Sequence, residues 1–409
     1  MIKQINFVKQ VINNATDKYE KLLLIFLFLF LFSSTFSIAL TQISYFIALF
    51  FWLIIIFRTH KSIYYSTPLD LYFILFIIAE IIATIFSKDF AQSLFYLHKR
   101  VIIIPIIYLI YSWIRTPERL KTSIVVLFSS ILLVSLFGTF DIIANLEKYL
   151  HFERRLNLTT FYMTAGGLMM VSSLILLAFV THKDTPRHFK IFSGITLLFS
   201  TVCLIFTFTR GSWLGFLLGS ILISFQRSKI FFAIIIFLIV FIVLISPVEI
   251  KDRIYSIVDP KHPNNVERIQ MWSTGLKIFI DHPIVGIGDI GTEEIYKIYG
   301  PPGANPVGHL HNNFITLLVK LGIVGFISIL LLFVKIFIIE LKNAVLTLND
   351  WLTNSVSLGA VAAFIAFQVN GLFEWNFGDT EVIMFLWITV GLALSANFVY
   401  ISSRNSNLK

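Results

Sequence analysis

Residues 311–338 read HNNFITLLVKLGIVGFISILLLFVKIFI. After the opening His-Asn-Asn the stretch stays apolar long enough to cross a bilayer, since a helix rising about 1.5 Å per residue needs about 20 residues to span the hydrocarbon. Its first residue is a titratable ring at the point where a hydrophilic loop enters the helix. Membrane segments rarely keep a histidine without a role. Gly322 and Gly325 lie about three turns further in on related faces, a small-x-x-small spacing that lets another helix approach closely.

Apolar runs of the same kind recur from Leu22 to Ile401 in a chain of 409 residues, 57% hydrophobic and only 13% charged. The fold class expected is an all-α polytopic membrane protein with about 12 transmembrane helices. The spans fall near 22–38, 40–57, 69–87, 93–114, 122–146, 161–181, 191–208, 212–225, 230–246, 312–338, 353–372 and 381–401. Short inner loops retain Lys and Arg. With the N-terminus inside, the inner segments hold more than half of the 32 basic residues, among them Lys18, Lys21, Arg58, Arg115, Arg119, Arg187 and Arg227. Both termini are then cytoplasmic. The formal charge of +9 is a by-product of that topology and gives no support to nucleic-acid binding. Residues 1–21 are polar and no small-residue cleavage site follows the first apolar run, so no cleavable signal is expected. The lone Cys203 lies in a span, and an intrachain disulfide is ruled out.

The expected organisation is a cytoplasmic tail (1–21), nine spans (22–246), an outer loop cap (247–311), three spans (312–401) and a second cytoplasmic tail (402–409). Loops as long as the cap are usually functional or disordered. Residues 266–281, VERIQMWSTGLKIFID, carry apolar residues at Met271, Trp272, Leu276, Ile278 and Phe279 and stop before Pro283. They read as an amphipathic helix lying against the membrane. A glycine-rich turn (284–291), a short helix (292–299) and a rigid Gly-Pro-Pro-Gly bend (300–303) follow. Smaller outer loops span 147–160 and 373–380.

Three charged or titratable groups stand at the outer ends of these elements. His311 opens span ten beside Asn312, which can hydrogen-bond a substrate or fix a tautomer. The plain alternative for His311 is an interfacial helix cap. Arg210 closes span seven in Phe208-Thr209-Arg210-Gly211-Ser212-Trp213; an arginine at membrane depth is costly unless it is paired or faces water, and snorkelling to the headgroups is its bland reading. Arg268 lies on the loop helix, where the bland reading is a solvated charge paired with Glu267 or Glu294. Weaker candidates are Lys99 and Arg100 at the start of span four, which would guide an anion or simply snorkel, and Glu374, Asp379 and Glu381 around the last outer loop. One of those acids would orient His311 or bind an acceptor sugar. Trp272, Tyr162, Tyr296 and Tyr299 would stack on sugar or form an interfacial belt. Arg154 and Arg155 would meet lipid headgroups. No outer Asp-x-Asp pair or clustered thiolates accompany His309 and His311, and no Gly-x-x-x-x-Gly-Lys sequence is present, so neither metal nor nucleotide chemistry is expected.

The His-Asn pair followed after nine residues by Gly-x-x-Gly resembles the signature of the bacterial O-antigen ligases, which share a superfamily with O-antigen polymerases and protein O-oligosaccharyltransferases. Thr209-Arg210-Gly211-Ser212-Trp213 is similar to the ligases' T/S-R-x-x-W pattern. The order Arg268, Trp272, Asp281-His282-Pro283, Gly286 and Gly288 is similar to another progression in that superfamily. The likeness covers residues 200–395, and the first six spans match only in number. One departure is Phe326 after the second glycine, where ligases usually carry a small or polar residue.

What the resemblance implies is a metal-independent, inverting glycosyltransferase of the membrane-embedded GT-C type, in the inner membrane with its site facing the periplasm. The donor would be a glycan on undecaprenyl diphosphate and the acceptor a sugar hydroxyl of lipid A-core, with membrane lipids the other partners and no cofactor, nucleotide or nucleic acid. His311 would be the general base, and Arg210 and Arg268 would hold the diphosphate. Asn312, Lys99, Arg100, Trp272, Asp379 and Glu374 are the substrate-binding candidates. Phe326 leaves an O-antigen or exopolysaccharide polymerase as the alternative, and a transporter of lipid-linked sugars is the competing class.

Overall fold

A computed structural model describes residues 2–59, 65–158, 160–228, 230, 232–233, 259–303, 305 and 307–406. The described chain is helical and has no strand. Its elements in order are α1 (Ile2–Asn13), α2 (Lys18–Ser33), α3 (Ile38–Thr59), α4 (Asp70–Ile85), α5 (Phe90–Val101), α6 (Pro105–Trp113), α7 (Pro117–Ala144) and the short α8 (Leu146–Leu150). Then come α9 (Tyr162–Thr181), α10 (Arg187–Phe206), α11 (Arg210–Arg227), α12 (Pro263–Asp281), α13 (Glu293–Tyr299), α14 (Asn313–Leu346), α15 (Trp351–Asn370) and α16 (Thr380–Ser406).

Among the described residues, eight helical stretches are long and apolar enough to cross a membrane, so the protein is a multi-pass membrane protein. Each expected span overlaps a helix except 230–246, which lies almost wholly outside the described residues. The span expected at 93–114 is two helices, because Pro105 lacks the N–H that would continue α5 and instead takes the first turn of α6.

Burial orders the bundle. About nine-tenths of the apolar window of α9 and of α16 is buried, and 83% of that of α15, against 33% for α3 and α10. Helices α9, α15 and α16 are therefore the central layer, with α11 packed against α9 and α15. Close approach there depends on small residues: a side chain at Gly215 or Gly219 of α11 would collide with Ala366 O or Ala362 O of α15.

The long loop folds into a cap with its own apolar cluster of Ile278, Ile287, Ile290, Ile295, Tyr296, Leu310 and Val319. Here the structure differs from the expectation in one respect, that one face of the amphipathic helix packs on protein. The Thr274, Gly275 and Ile278 face of α12 is buried against Leu310 and the first turns of α14, while Leu276 and Ile280 stay exposed.

The second difference is Gly322. It does not sit at a helix–helix contact; it breaks α14, with φ 60° and ψ −167°. The residues after Asp281 use the break: Pro283 O and Ile284 O accept from the N–H groups of Ile323 and Val324 at 2.8 and 3.2 Å, and the N–H groups of Ile287 and Gly288 donate to Val319 O and Lys320 O at 3.0 and 2.9 Å. Backbone freed by the break is thus re-satisfied by the loop, as buried polar groups require. Only glycine tolerates both the dihedrals and a Cβ position 2.3 Å from Ile284 O.

Candidate functional site

A cleft of about 280 Å³ opens between α9, α11, α12 and the two loops 307–312 and 371–379. It is lined by His311, Arg210 and Arg268 together, and also by Arg155, Tyr162, Glu267, Met271 and Glu374. Three residues spread over 100 positions of sequence thus meet in one cavity.

Each is delivered by a different element. Arg210 is the first residue of α11, 9% exposed, and donates to Asn265 Oδ1 on α12 at 3.0 Å. The start of α11 lines the cleft through Thr209, Arg210 and Gly211, and a helix N-terminus carries partial positive charge. Arg268 lies one turn along α12 from Asn265 and donates to Glu374 Oε1 at 3.2 Å. Glu374 Oε2 lies 3.0 Å from His311 Nδ1. One carboxylate, nine-tenths buried, therefore bridges the imidazole and a guanidinium. An ionised carboxylate only accepts, so opposite one Nδ1 is the donor, and in the neutral imidazole Nε2 then carries the lone pair.

The tandem asparagines set this geometry. Asn312 caps α14 by accepting from Ile315 N at 3.0 Å, and its amide donates to Leu372 O at 2.9 Å. Asn313 N donates to Gly371 O at 2.6 Å, Asn313 Oδ1 accepts from Phe377 N at 3.1 Å, and its amide donates to Asn376 Oδ1. The 371–377 turn is thereby pinned to the start of α14, which brings Glu374 to His311. Asn312 acts through these backbone contacts, with both ends of its side chain engaged by the protein.

His311 itself has φ 46°, and Phe208, beside Arg210, has φ 52°. Non-glycine residues held there store about 1–3 kcal/mol of strain each, and such positions gather at functional sites. The His311 N–H reaches His309 Nδ1 at 3.4 Å, and the two rings are 4.3 Å apart. Burial, then the nearby His311, pushes His309 down to about 4, so it is neutral near pH 7.

Arg155 is a residue that the sequence left among the headgroup contacts. Its guanidinium lies 4.6 Å from the Tyr162 ring and lines the cleft, and among the described residues no carboxylate pairs with it. The loop that carries it is tied to α10 by the Leu156 N to Phe206 O bond of 2.9 Å.

Other candidates lie elsewhere. Trp272 donates to Leu310 O at 3.1 Å and fastens α12 to the 307–312 loop. Asp379 caps α16 at Glu381 N and Val382 N and accepts from Thr164. Lys99 and Arg100 line a second cleft. Arg100 does not snorkel: it is paired with Glu80 and with Asp289, which also takes Lys320 Nζ at 2.9 Å. Burial opposes charge on Asp289, but Arg100 and Lys320 outweigh it and hold the carboxyl below its usual range.

Residues 195–330 match the family described as O-antigen ligase. The match runs from α10 through the broken α14 and includes Arg210, Arg268, His311 and Gly322. It agrees with the O-antigen ligase/polymerase superfamily and does not separate ligase from polymerase. No curated protein matches the chain.

Proposed function

We infer that the chain is an O-antigen ligase, transferring a glycan from undecaprenyl diphosphate to a sugar hydroxyl of lipid A-core at the periplasmic face of the inner membrane. The observation that carries this reading is the Glu374 carboxylate joining His311 to Arg268 across from Arg210 in one cleft.

In the reaction, His311 Nε2 accepts the proton of the attacking hydroxyl while Glu374 holds Nδ1–H and stabilises the imidazolium that forms. The hydroxyl oxygen bonds to the anomeric carbon as the bond from that carbon to the diphosphate oxygen breaks, and the electron pair leaves with the diphosphate. Arg210, Arg268 and Arg155, with the start of α11, stabilise the charge that gathers there. Single displacement inverts the anomeric centre, and no covalent enzyme intermediate is needed. The chemistry calls on no metal and no nucleotide. Translocation of a lipid-linked sugar does not require a base placed to take the proton of a sugar hydroxyl.

A polymerase using the same donor with a second glycan chain as acceptor is the second reading, favoured by Phe326 at a position where ligases usually carry a small or polar residue. The test is mass analysis of products after the purified protein, with chelator, meets undecaprenyl-diphosphate glycan and lipid A-core. Glycan on lipid A-core supports the ligase. Longer glycan still on undecaprenyl diphosphate replaces it with the polymerase, and no covalent product overturns glycosyl transfer.

A further inference from the structure

The second cleft, about 330 Å³, lies on the other side of the same wall and is lined by Tyr96, Lys99, Arg100, Asp289, Lys320 and Trp375 among others. It abuts the first cleft at the His309–His311 pair, since His309 lines one and His311 the other, and at the consecutive residues Glu374 and Trp375. Its chemistry differs. Arg100 and Lys320 are matched by Glu80 and Asp289 in a buried set of two cations and two carboxylates. The floor is therefore strongly polar but internally neutralised, and Lys99 and Glu293 add one charge of each sign to the lining, whereas the first cleft sets Arg155, Arg210 and Arg268 against Glu267 and Glu374. Above the floor stand the Tyr96 and Trp375 rings, with Lys320 Nζ 5.5 and 5.4 Å from their centroids. Gly378 leaves room for the indole, because a Cβ there would meet Trp375 Nε1 at 1.9 Å.

Aromatic faces beside paired donors and acceptors suit a ligand with an apolar C–H face and a rim of hydroxyls, and the volume lies within the range of small-molecule sites, about 300–1,000 Å³. A further anion gains less in this charge-balanced lining than in the first cleft, whose cations outnumber its carboxylates. We propose that this second cleft is the acceptor subsite, binding an uncharged sugar of the acceptor glycan on Trp375 and Tyr96, one histidine away from the catalytic base. This rests on the glycosyl-transfer reading and adds where the second substrate sits.

Two measurements test it. In the transfer assay, Trp375→Ala and Gly378→Ala, which displaces the indole without removing it, raise the KM for acceptor about tenfold or more and leave the KM for donor unchanged, while Trp375→Phe stays near wild type. Arg155→Ala shows the reverse split. A rise in the donor KM for the Trp375 and Gly378 variants, or no change in either KM, overturns the proposal. Independently of turnover, an O-deacylated lipid A-core carrying a diazirine should cross-link to the Tyr96 or Trp375 peptide. Unlabelled core oligosaccharide should compete, and undecaprenyl diphosphate should not. Labelling confined to the Tyr162 and Met271 peptides, or labelling abolished by undecaprenyl diphosphate, contradicts the acceptor subsite. Absence of transfer by the wild-type protein with cross-linking retained would sink the ligase reading and leave the sugar site standing.

Discussion

Glu374 Oε2 stands 3.0 Å from His311 Nδ1 while its other oxygen accepts from Arg268 at 3.2 Å. The residue couples the proton acceptor to the anion-binding side of the cleft. Replacing Glu374 by Gln keeps the shape but offers Nδ1 an amide that can donate, which favours the wrong tautomer. The turnover number is expected to fall by about 10²- to 10⁴-fold, with no rise in the KM for donor because Arg268 loses only a competing carboxylate. Steady-state kinetics against donor concentration read both numbers.

Arg210 and Arg155 make a different prediction. A planar guanidinium grips phosphate through two parallel bonds, and lysine at the same place supplies a point charge. Arg210→Lys and Arg155→Ala should each weaken donor binding by about 10- to 100-fold, the value of one charge-assisted contact of about 1.5–3 kcal/mol. Titration of undecaprenyl diphosphate into the detergent-purified variants measures it. Unchanged affinity in both would remove the arginines from the donor site.

Gly322→Ala tests the break in α14. The dihedrals alone cost about 1–3 kcal/mol, and the added methyl meets Ile284 O and Gly286 N at 2.3 and 2.6 Å. Gly303 is the control: its φ is +78° but nothing lies within 4 Å of a Cβ there. Thermal unfolding should show a large drop for Gly322→Ala and a small one for Gly303→Ala. Equal drops would mean that the loop does not lean on the break.

Removing Asp289 should act on stability first. Asp289→Asn leaves Arg100 and Lys320 sharing one carboxylate in a buried set, and breaking such an arrangement costs about 3–5 kcal/mol. The paired change Asp289→Asn with Lys320→Met should recover part of the loss. A double-mutant cycle showing no coupling would contradict the network.

His309 gives the pH dependence. Its pKa is depressed to about 4 in the folded protein against about 6.5 in an unfolded chain. Between those values the unfolded state binds the proton and the folded state does not, so stability rises with pH. The contribution present above pH 6.5 is lost as pH falls toward 4, by about 2 kcal/mol at pH 5. The unfolding midpoint of His309→Leu should vary less between pH 7 and pH 5 than that of the wild type; parallel curves would contradict the assignment.

The sequence was most informative where chemistry was costly. Arg210, Arg268 and His311 stood out because a charge or a titratable ring at the end of an apolar run needs a reason, and they do meet in one cleft. Glu374 was only one acid among three, since choosing it depends on Asn312 and Asn313 pinning a turn about 60 residues away. Glu80 and Lys320, inside expected spans, carried the same signal of charge at depth, but they are joined through Arg100 and the loop residue Asp289, 189 positions apart, which leaves no local pattern. Gly322 reads as part of an uninterrupted helical run. Its left-handed φ follows from the loop that hydrogen-bonds there, a tertiary cause that periodicity does not record.

In the proposed reaction the His311–Glu374 pair is the base of a glycosyl transfer. The most direct measurement is the single-turnover rate of glycan transfer to lipid A-core by wild type and by His311→Ala, with undecaprenyl-diphosphate glycan binding measured on the same samples. The expected result is a loss of about 10²-fold or more in rate with binding retained. Transfer at the wild-type rate by the variant would contradict it.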